Sequence, residues 1–268
     1  MNPNIDAVTV GVTDLHRALE FYERGFGFPL EARGGDGATL RLSASAALEL
    51  CPWDALAHRA GMSPESSGFR GFTLSYIVAD PSGVDDMLAR LVAAGGQVAK
   101  EPRLAFWGYS AHVADPSGHL WKIASPKRRP LLGRNRTAGS PDPVPAQELA
   151  LTIGVADIKR SRRFYEDGLG NPTKKAYSKF VSFDGDGAPD LSMYNWDALA
   201  DDANVPPEGN GFRGFAMSHV VDSADAVNRL LDRAMRAGAK LVEPGSFTDP
   251  DGYLWNITAR KEAAHAWT

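Results

Sequence analysis

A carboxylate, two basic side chains and a run of aromatics in the first half of the chain have the types that small-molecule chemistry uses. Glu49 sits in the alternating segment Ala47-Leu-Glu-Leu-Cys51. Lys122 follows the tryptophan of Asp115-Pro-Ser-Gly-His-Leu-Trp121, and His112 lies in the segment before that turn. A carboxylate and an ammonium converging in a semi-apolar pocket can serve as base and electrophile, each tuning the other's pKa. The same two groups can also form a purely structural ion pair. Phe106-Trp107-Gly108-Tyr109 offers stacking surface for a flat or aromatic ligand, or packing between modules. No GxGxxG or P-loop follows a strand, and neither the serines nor Cys51 has an elbow or a paired base, so nucleotide binding and acyl-enzyme chemistry lack support.

The elements that must position these residues come in two copies. Val12-Thr-Asp14 recurs as Val155-Ala-Asp157, Phe21-Tyr-Glu23 as Phe164-Tyr-Glu166, Trp53-Asp-Ala-Leu-Ala57 as Trp196-Asp-Ala-Leu-Ala200, and Gly68-Phe-Arg-Gly-Phe72 as Gly211-Phe-Arg-Gly-Phe215, all at an offset of 143 residues. Several motifs in one register mark a tandem duplication. The turn Asp115-Pro-Ser-Gly returns as Asp249-Pro-Asp-Gly at an offset of 134. Between Glu101-Pro102, which recurs as Glu243-Pro244 at an offset of 142, and that turn the second copy lacks eight residues, which correspond roughly to residues 104–109, read as a strand. The second module is therefore expected to be shorter by about one strand. The expected division is a first module over 1–126, a Pro/Gly-rich linker over 127–147, a second module over 148–261 and a tail over 262–268.

Within the first module, residues 5–12 read as a β-rich strand and Asp14 as the cap of a helix to about residue 24, stopped by the Gly25 and Gly27 region. Strands are expected over 38–42, 47–51, 71–78, 98–100, 105–114 and 120–124, with a short helix at 53–59 and a longer one at 84–94. The second module repeats this order. A helix on one face of a curled antiparallel sheet, twice per module, gives an α+β architecture whose concave face can hold a ligand.

The ordered set Val10-Gly-Val-Thr-Asp14, Phe21-Tyr22, Gly25-Phe-Gly27, Gly71-Phe72, Val78 with Asp80, Ala94-Gly-Gly96, Phe106-Trp-Gly-Tyr109 and Asp115-Pro-Ser-Gly-His-Leu-Trp121 resembles the glyoxalase / bleomycin-resistance / extradiol-dioxygenase (vicinal oxygen chelate) superfamily. The resemblance covers nearly all of both modules. It implies that each module consists of two paired βαβββ units, with the two modules forming an internal pseudo-dimer. In metal-dependent members strand residues converge on a divalent ion. Carried over position by position, those ligands would be Ala7 and Ala150, Glu49 and Ser192, Thr73 and Ala216, and Lys122 and Asn256. Alanine cannot ligate, and a protonated ammonium has no lone pair. No metal or other cofactor is therefore expected.

The function this implies is binding of a small, aromatic or hydrophobic molecule in the first module's cavity, by Thr73, Phe106, Trp107, Tyr109 and His112, as in the drug-sequestering branch. A metal-independent lyase or isomerase using Glu49 and Lys122 or His112 is the rival. A metal-dependent glyoxalase-like lyase or dioxygenase is a third reading. Of the other histidines, His119 in the turn is expected to be exposed and His219 to be a satisfied core residue.

The 268-residue chain carries a net charge of −4, which argues against a nucleic-acid partner. The basic run from Lys127 to Arg136 reads as solvated linker. With one cysteine no internal disulfide can form. No apolar run approaches the ~18 residues of a membrane span, and the first residues carry no signal-peptide pattern. These features fit a cytoplasmic protein, monomeric or homodimeric.

Overall fold

In a computed structural model, residues 4–105, 108–128, 142–185 and 187–260 are described. The first module holds β1 (Ala7–Val12), α1 (Leu15–Glu20), β2 (Leu30–Gly34), β3 (Gly37–Arg41), β4 (Ala47–Pro52), α2 (Trp53–Arg59), β5 (Ser66–Gly68), β6 (Phe72–Ile77), α3 (Pro81–Ala93), β7 (Gln97–Ala105), β8 (Gly108–Ala114) and β9 (Leu120–Ser125). The second holds β10 (Glu148–Val155), α4 (Ile158–Arg163), β11 (Thr173–Ala176), β12 (Phe180–Phe183), β13 (Asp190–Asn195), α5 (Trp196–Ala203), β14 (Gly209–Gly211), β15 (Phe215–Val221), α6 (Ala224–Arg236), β16 (Lys240–Glu243), β17 (Ser246–Thr248) and β18 (Leu254–Ala259).

Local chemistry explains the punctuation. The Asp14 and Asp157 carboxylates cap α1 and α4 by accepting from Arg17 N and Arg160 N at 3.0 and 3.1 Å. Each helix runs on through a π-helical turn, Phe21–Phe26 or Phe164–Leu169, and stops at a left-handed glycine, Gly27 or Gly170. The Asp-Pro-x-Gly turns are built around their aspartates. Asp115 accepts from Ser117 N, His119 N and the Tyr22 hydroxyl at 2.9, 2.8 and 2.7 Å. Asp249 repeats the pattern with Asp251 N, Tyr253 N and Tyr165. The tryptophans that follow, Trp121 and Trp255, are fully buried and account for the retention of Leu-Trp in both copies.

The strands form two eight-stranded sheets, and neither belongs to one module. The first sheet runs β16-β17-β18-β15-β1-β4-β3-β2 and the second β11-β12-β13-β10-β6-β9-β8-β7. Each contains one βαβββ unit from each module, joined at its centre by an antiparallel pair, β1 with β15 or β6 with β10. The expectation of one sheet per module is thereby corrected. Exchanging equivalent units preserves every local contact, so a repeat pattern cannot distinguish the two pairings. Each sheet is mixed, because β1–β4, β15–β18, β10–β13 and β6–β9 pair in parallel. The missing strand is also corrected: the second module keeps β16, β17 and β18. Its deficit shortens the hairpin, with strands of 4 and 3 residues where β7 and β8 have 9 and 7.

Strand alternation divides each sheet into two faces. Val8, Val10, Val113, Trp121 and Ile123 join the main core with α1 and α3. The opposite, inner faces carry the polar residues and are covered by the short helices. Leu56 and Ala57 of α2 pack with Cys51, Ala216 and Leu254 of the first sheet. Leu199 and Ala200 of α5 pack with Leu120 and Tyr194 of the second. Trp53 and Trp196 lock the modules together, Trp53 meeting Phe212 edge-on and Trp196 meeting Phe69. Gly71 shows why this junction is tight: it has φ +81°, and a Cβ there would lie 2.1 Å from the Trp196 ring. No helix among the described residues is long and apolar enough to cross a membrane.

Candidate functional site

The sheet exchange separates the two residues expected to work together. Glu49 is on β4 of the first sheet, where it accepts from Thr9 Oγ1 at 2.6 Å. Lys122 is on β9 of the second. Glu49 and Lys122 therefore do not form a base–electrophile pair, and the expected module 1 cavity is replaced by faces that both modules build.

The carried-over metal positions fall into two sets. The first sheet brings Ala7, Glu49, Ala216 and Asn256 to one region, and Asn256 Oδ1 is engaged by Ser246 Oγ at 2.9 Å. The second brings together Ala150, Ser192, Thr73 and Lys122. One carboxylate and one amide already hydrogen-bonded, or two hydroxyls and an ammonium, do not make a divalent-cation donor set. Among the described residues there is no group of three His, Cys, Asp or Glu side chains placed to hold a metal.

The second sheet instead assembles a charged row. Cross-strand register sets Ser75 of β6 opposite Lys122 of β9, Lys122 opposite His112 of β8, and His112 opposite Lys100 of β7. Directly opposed residues on one face have their Cβ atoms about 5 Å apart. Asp202 reaches this row from the last turn of α5, an element of the other module. Lys122 Nζ donates to Asp202 Oδ2 at 2.6 Å, and Lys100 Nζ donates to the Asp202 carbonyl oxygen and lies 3.8 Å from Oδ1. Cations at a helix C-terminus are stabilised by its exposed carbonyls. His112 Nε2 lies 3.6 Å from Asp202 Oδ2, beyond hydrogen-bond range. The ring is wholly buried, and neither nitrogen has a hydrogen-bond partner.

Burial pushes the His112 imidazole down, against the pull of Asp202 and with the push of Lys122 and Lys100, so the ring is neutral at pH 7. Burial also lowers Lys100, opposed by Asp202. For Asp202, burial acts to raise the carboxyl, but His112 and Lys122 more than offset it and hold the group well below the usual carboxylate range. Behind the row lie hydroxyls. Thr73, Thr152 and Ser192 are adjacent across β6, β10 and β13, all buried, with Thr152 Oγ1 and Ser192 Oγ 2.9 Å apart. The arrangement provides donors, positive charge and a neutral imidazole. Its ionised carboxylate is paired with Lys122 and lies near Lys100.

Several expectations are revised. Tyr109 points to the helix face, donating to Asp85 Oδ1 of α3 at 2.8 Å, and does not line the site. Phe106 and Trp107 lie outside the described residues. His119 is buried rather than exposed: Nε2–H donates to Gly11 O at 2.7 Å, and Nδ1 accepts from Arg70 at 3.1 Å. Lys100 and Asp202 were missed. Lys100 read only as part of a short strand. Asp202 extends the Trp-Asp-Ala-Leu-Ala repeat to a position where the first copy has Arg59, and that sign reversal was the signal available.

The sequence profile of the Glyoxalase/Bleomycin resistance protein/Dioxygenase superfamily matches residues 4–123 and 149–257. Glyoxalase I from Zea mays is similar in structure, with a TM-score of 0.66 at 20% identity over 97% of this chain and 94% of that one. A glyoxalase-related enzyme from Fulvimarina pelagi aligns with 46% of this chain and 87% of its own, at 27% identity and a TM-score of 0.41. A comparison with curated protein sequences gives no match. At such identity the maize enzyme speaks to the fold alone, whereas the profile matches both modules: the chain belongs to the Glyoxalase/Bleomycin resistance protein/Dioxygenase superfamily.

Proposed function

We propose that the protein binds a small molecule on the inner face of its second sheet, beneath α5, without a catalytic metal. The observation that carries this reading is the row Lys122–His112–Lys100, half-buried at Lys122 and buried at the other two, with both imidazole nitrogens of His112 unpartnered. An unsatisfied buried polar group costs about 1–3 kcal/mol, and a ligand that engages it recovers that cost. The site is composite: Thr73, Lys100, His112 and Lys122 come from the first module, and Thr152, Ser192 and Asp202 from the second. Sequestration of the kind named by the bleomycin-resistance part of the superfamily fits this arrangement better than lyase or isomerase chemistry, because Lys122 is tied to Asp202 and Glu49 is on the other sheet. The lone, buried Cys51 is compatible with a reducing cytoplasm.

Thermal-shift screening with small aromatic compounds, followed by titration of the hits against Lys122→Gln and Glu49→Gln, tests the location. Binding is expected to be lost in Lys122→Gln and kept in Glu49→Gln. The reverse pattern would move the site to the first sheet and overturn the proposal.

A further inference from the structure

The second sheet's charges are not balanced by their own surroundings. On the row itself two ammonium groups, Lys100 and Lys122, share the one carboxylate of Asp202, which leaves one positive charge in excess. Asp202 spreads its oxygens over the row, Oδ2 on Lys122 and beside His112, Oδ1 toward Lys100. It sits there as a carboxylate tethered to the end of a helix. The pseudo-equivalent row of the first sheet has Asn256 opposite Ser246 and Ser246 opposite Glu243, with no positive charge in those places, so the fold itself does not require the cationic row.

An apolar space lies alongside. A cavity of about 270 Å³ is lined by Phe69, Phe72, Leu120, Val205 and Pro206, with Arg70 and His119 also on its wall. Leu120 and Lys122 are on the same face of β9, two residues and so about 7 Å apart. Val205 follows Asp202 by three residues in the chain, just beyond α5. Cavities of about 150 Å³ already hold a benzene ring.

Resting on the reading that the second sheet is the binding face, we propose that the ligand is an amphipathic carboxylate. Its carboxylate takes the place of Asp202 on Lys122, Lys100 and His112, and its apolar body fills the cavity beside Leu120. Nε2–H of His112 then donates to an oxygen that Asp202 does not bring close enough. Asp202 acts as an internal competitor that keeps the cluster neutralised while no ligand is bound.

The test is a titration of the full chain with benzoate, benzamide and inorganic phosphate, read by calorimetry and by the His112 ring resonances. Benzoate should bind about tenfold or more tightly than its neutral isostere benzamide, and phosphate more weakly than benzoate. Asp202→Asn should tighten benzoate binding, because the competitor loses its charge; a merely structural Asp202 would weaken it. Lys122→Gln should weaken benzoate about tenfold or more in protein whose melting curve remains cooperative. Equal affinity for benzoate and benzamide at His112 would overturn the anion assignment and leave the binding face standing. Phosphate saturating the row ahead of benzoate would overturn the carboxylate. Benzoate binding that leaves the His112 resonances unmoved, or no binding by any of the three, would overturn both this inference and the location on the second sheet.

Discussion

The Lys122–Asp202 contact should be energetically real, and its coupling can be derived from the geometry. The two charged atoms are 2.6 Å apart and each side chain is 28% exposed. At an effective dielectric of about 20 the gross attraction at that distance is roughly 6 kcal/mol. Desolvation and lost side-chain freedom offset most of it, leaving a net coupling of about 2 kcal/mol, the usual size for a partly buried hydrogen bond between charges. A double-mutant cycle of Lys122→Met and Asp202→Asn, followed by urea unfolding at pH 7, measures that coupling directly. Each single variant should melt about 4–8 °C below wild type, taking roughly 2–4 °C per kcal/mol for a chain of this size. The Arg17–Asp14 pair, with side chains 76% and 50% exposed, is the internal control and should couple by about 0.5 kcal/mol or less. A Lys122–Asp202 coupling as small as that control would refute the view that α5 is clamped onto the second sheet by charge.

Three other outcomes follow from the same geometry. Burial holds His112 and His119 below their ordinary pKa, so the unfolded chain takes up protons that the folded one refuses. The stability these two histidines contribute should be full above about pH 6.5 and be lost as pH drops below it, opposed by the buried Asp249 carboxyl, which burial raises to about 7 and which favours the fold as it protonates; a further loss comes below about pH 3.8, where the unfolded chain protonates Asp202 before the fold does. His112 or His119 ring resonances that titrate at or above pH 6.5 would contradict the buried neutral imidazoles. Separately expressed fragments 1–126 and 148–268 should each fail to fold as monomers and should assemble on mixing, because β1 and β6 have their central partners β15 and β10 in the other module; two well-dispersed monomeric NMR spectra would count against the exchange. Gly71→Ala should cost about 2 kcal/mol or more, since it adds a Cβ at φ +81° that meets the Trp196 ring and the Tyr253 hydroxyl; an unchanged melting temperature would mean that the module junction can yield.

What could be read beforehand was everything that repeats. The offset of 143 residues became two sets of βαβββ units, and Asp115 and Asp249 became the buried anchors of their turns because a tight turn needs its backbone amides satisfied within a few residues. Alternation on β8 places His112 on the inner face and Tyr109, three residues away, on the other one, so the aromatic run cannot line a single face. The unit exchange was not legible, because equivalent units make equivalent contacts in either pairing. With it went Asp202, which meets Lys122 only after α5 crosses to the other module's strands. His119 looked exposed because it sits in a turn, yet that turn is wedged between the sheets, where the imidazole bridges Gly11 and Arg70. The metal question was different in kind: Ala7, Ala150 and Lys122 speak through residue chemistry, and the structure adds that Asn256 is already engaged by Ser246.

On the proposed reading the second sheet binds its ligand through Lys122, His112 and Lys100 without a metal. The most direct measurement is calorimetric titration of chelator-stripped protein with benzoate, before and after addition of one equivalent of zinc. The same benzoate affinity is expected in both, with no saturable, stoichiometric heat from zinc itself. Stoichiometric zinc binding, or benzoate binding that appears only once zinc is present, would contradict it.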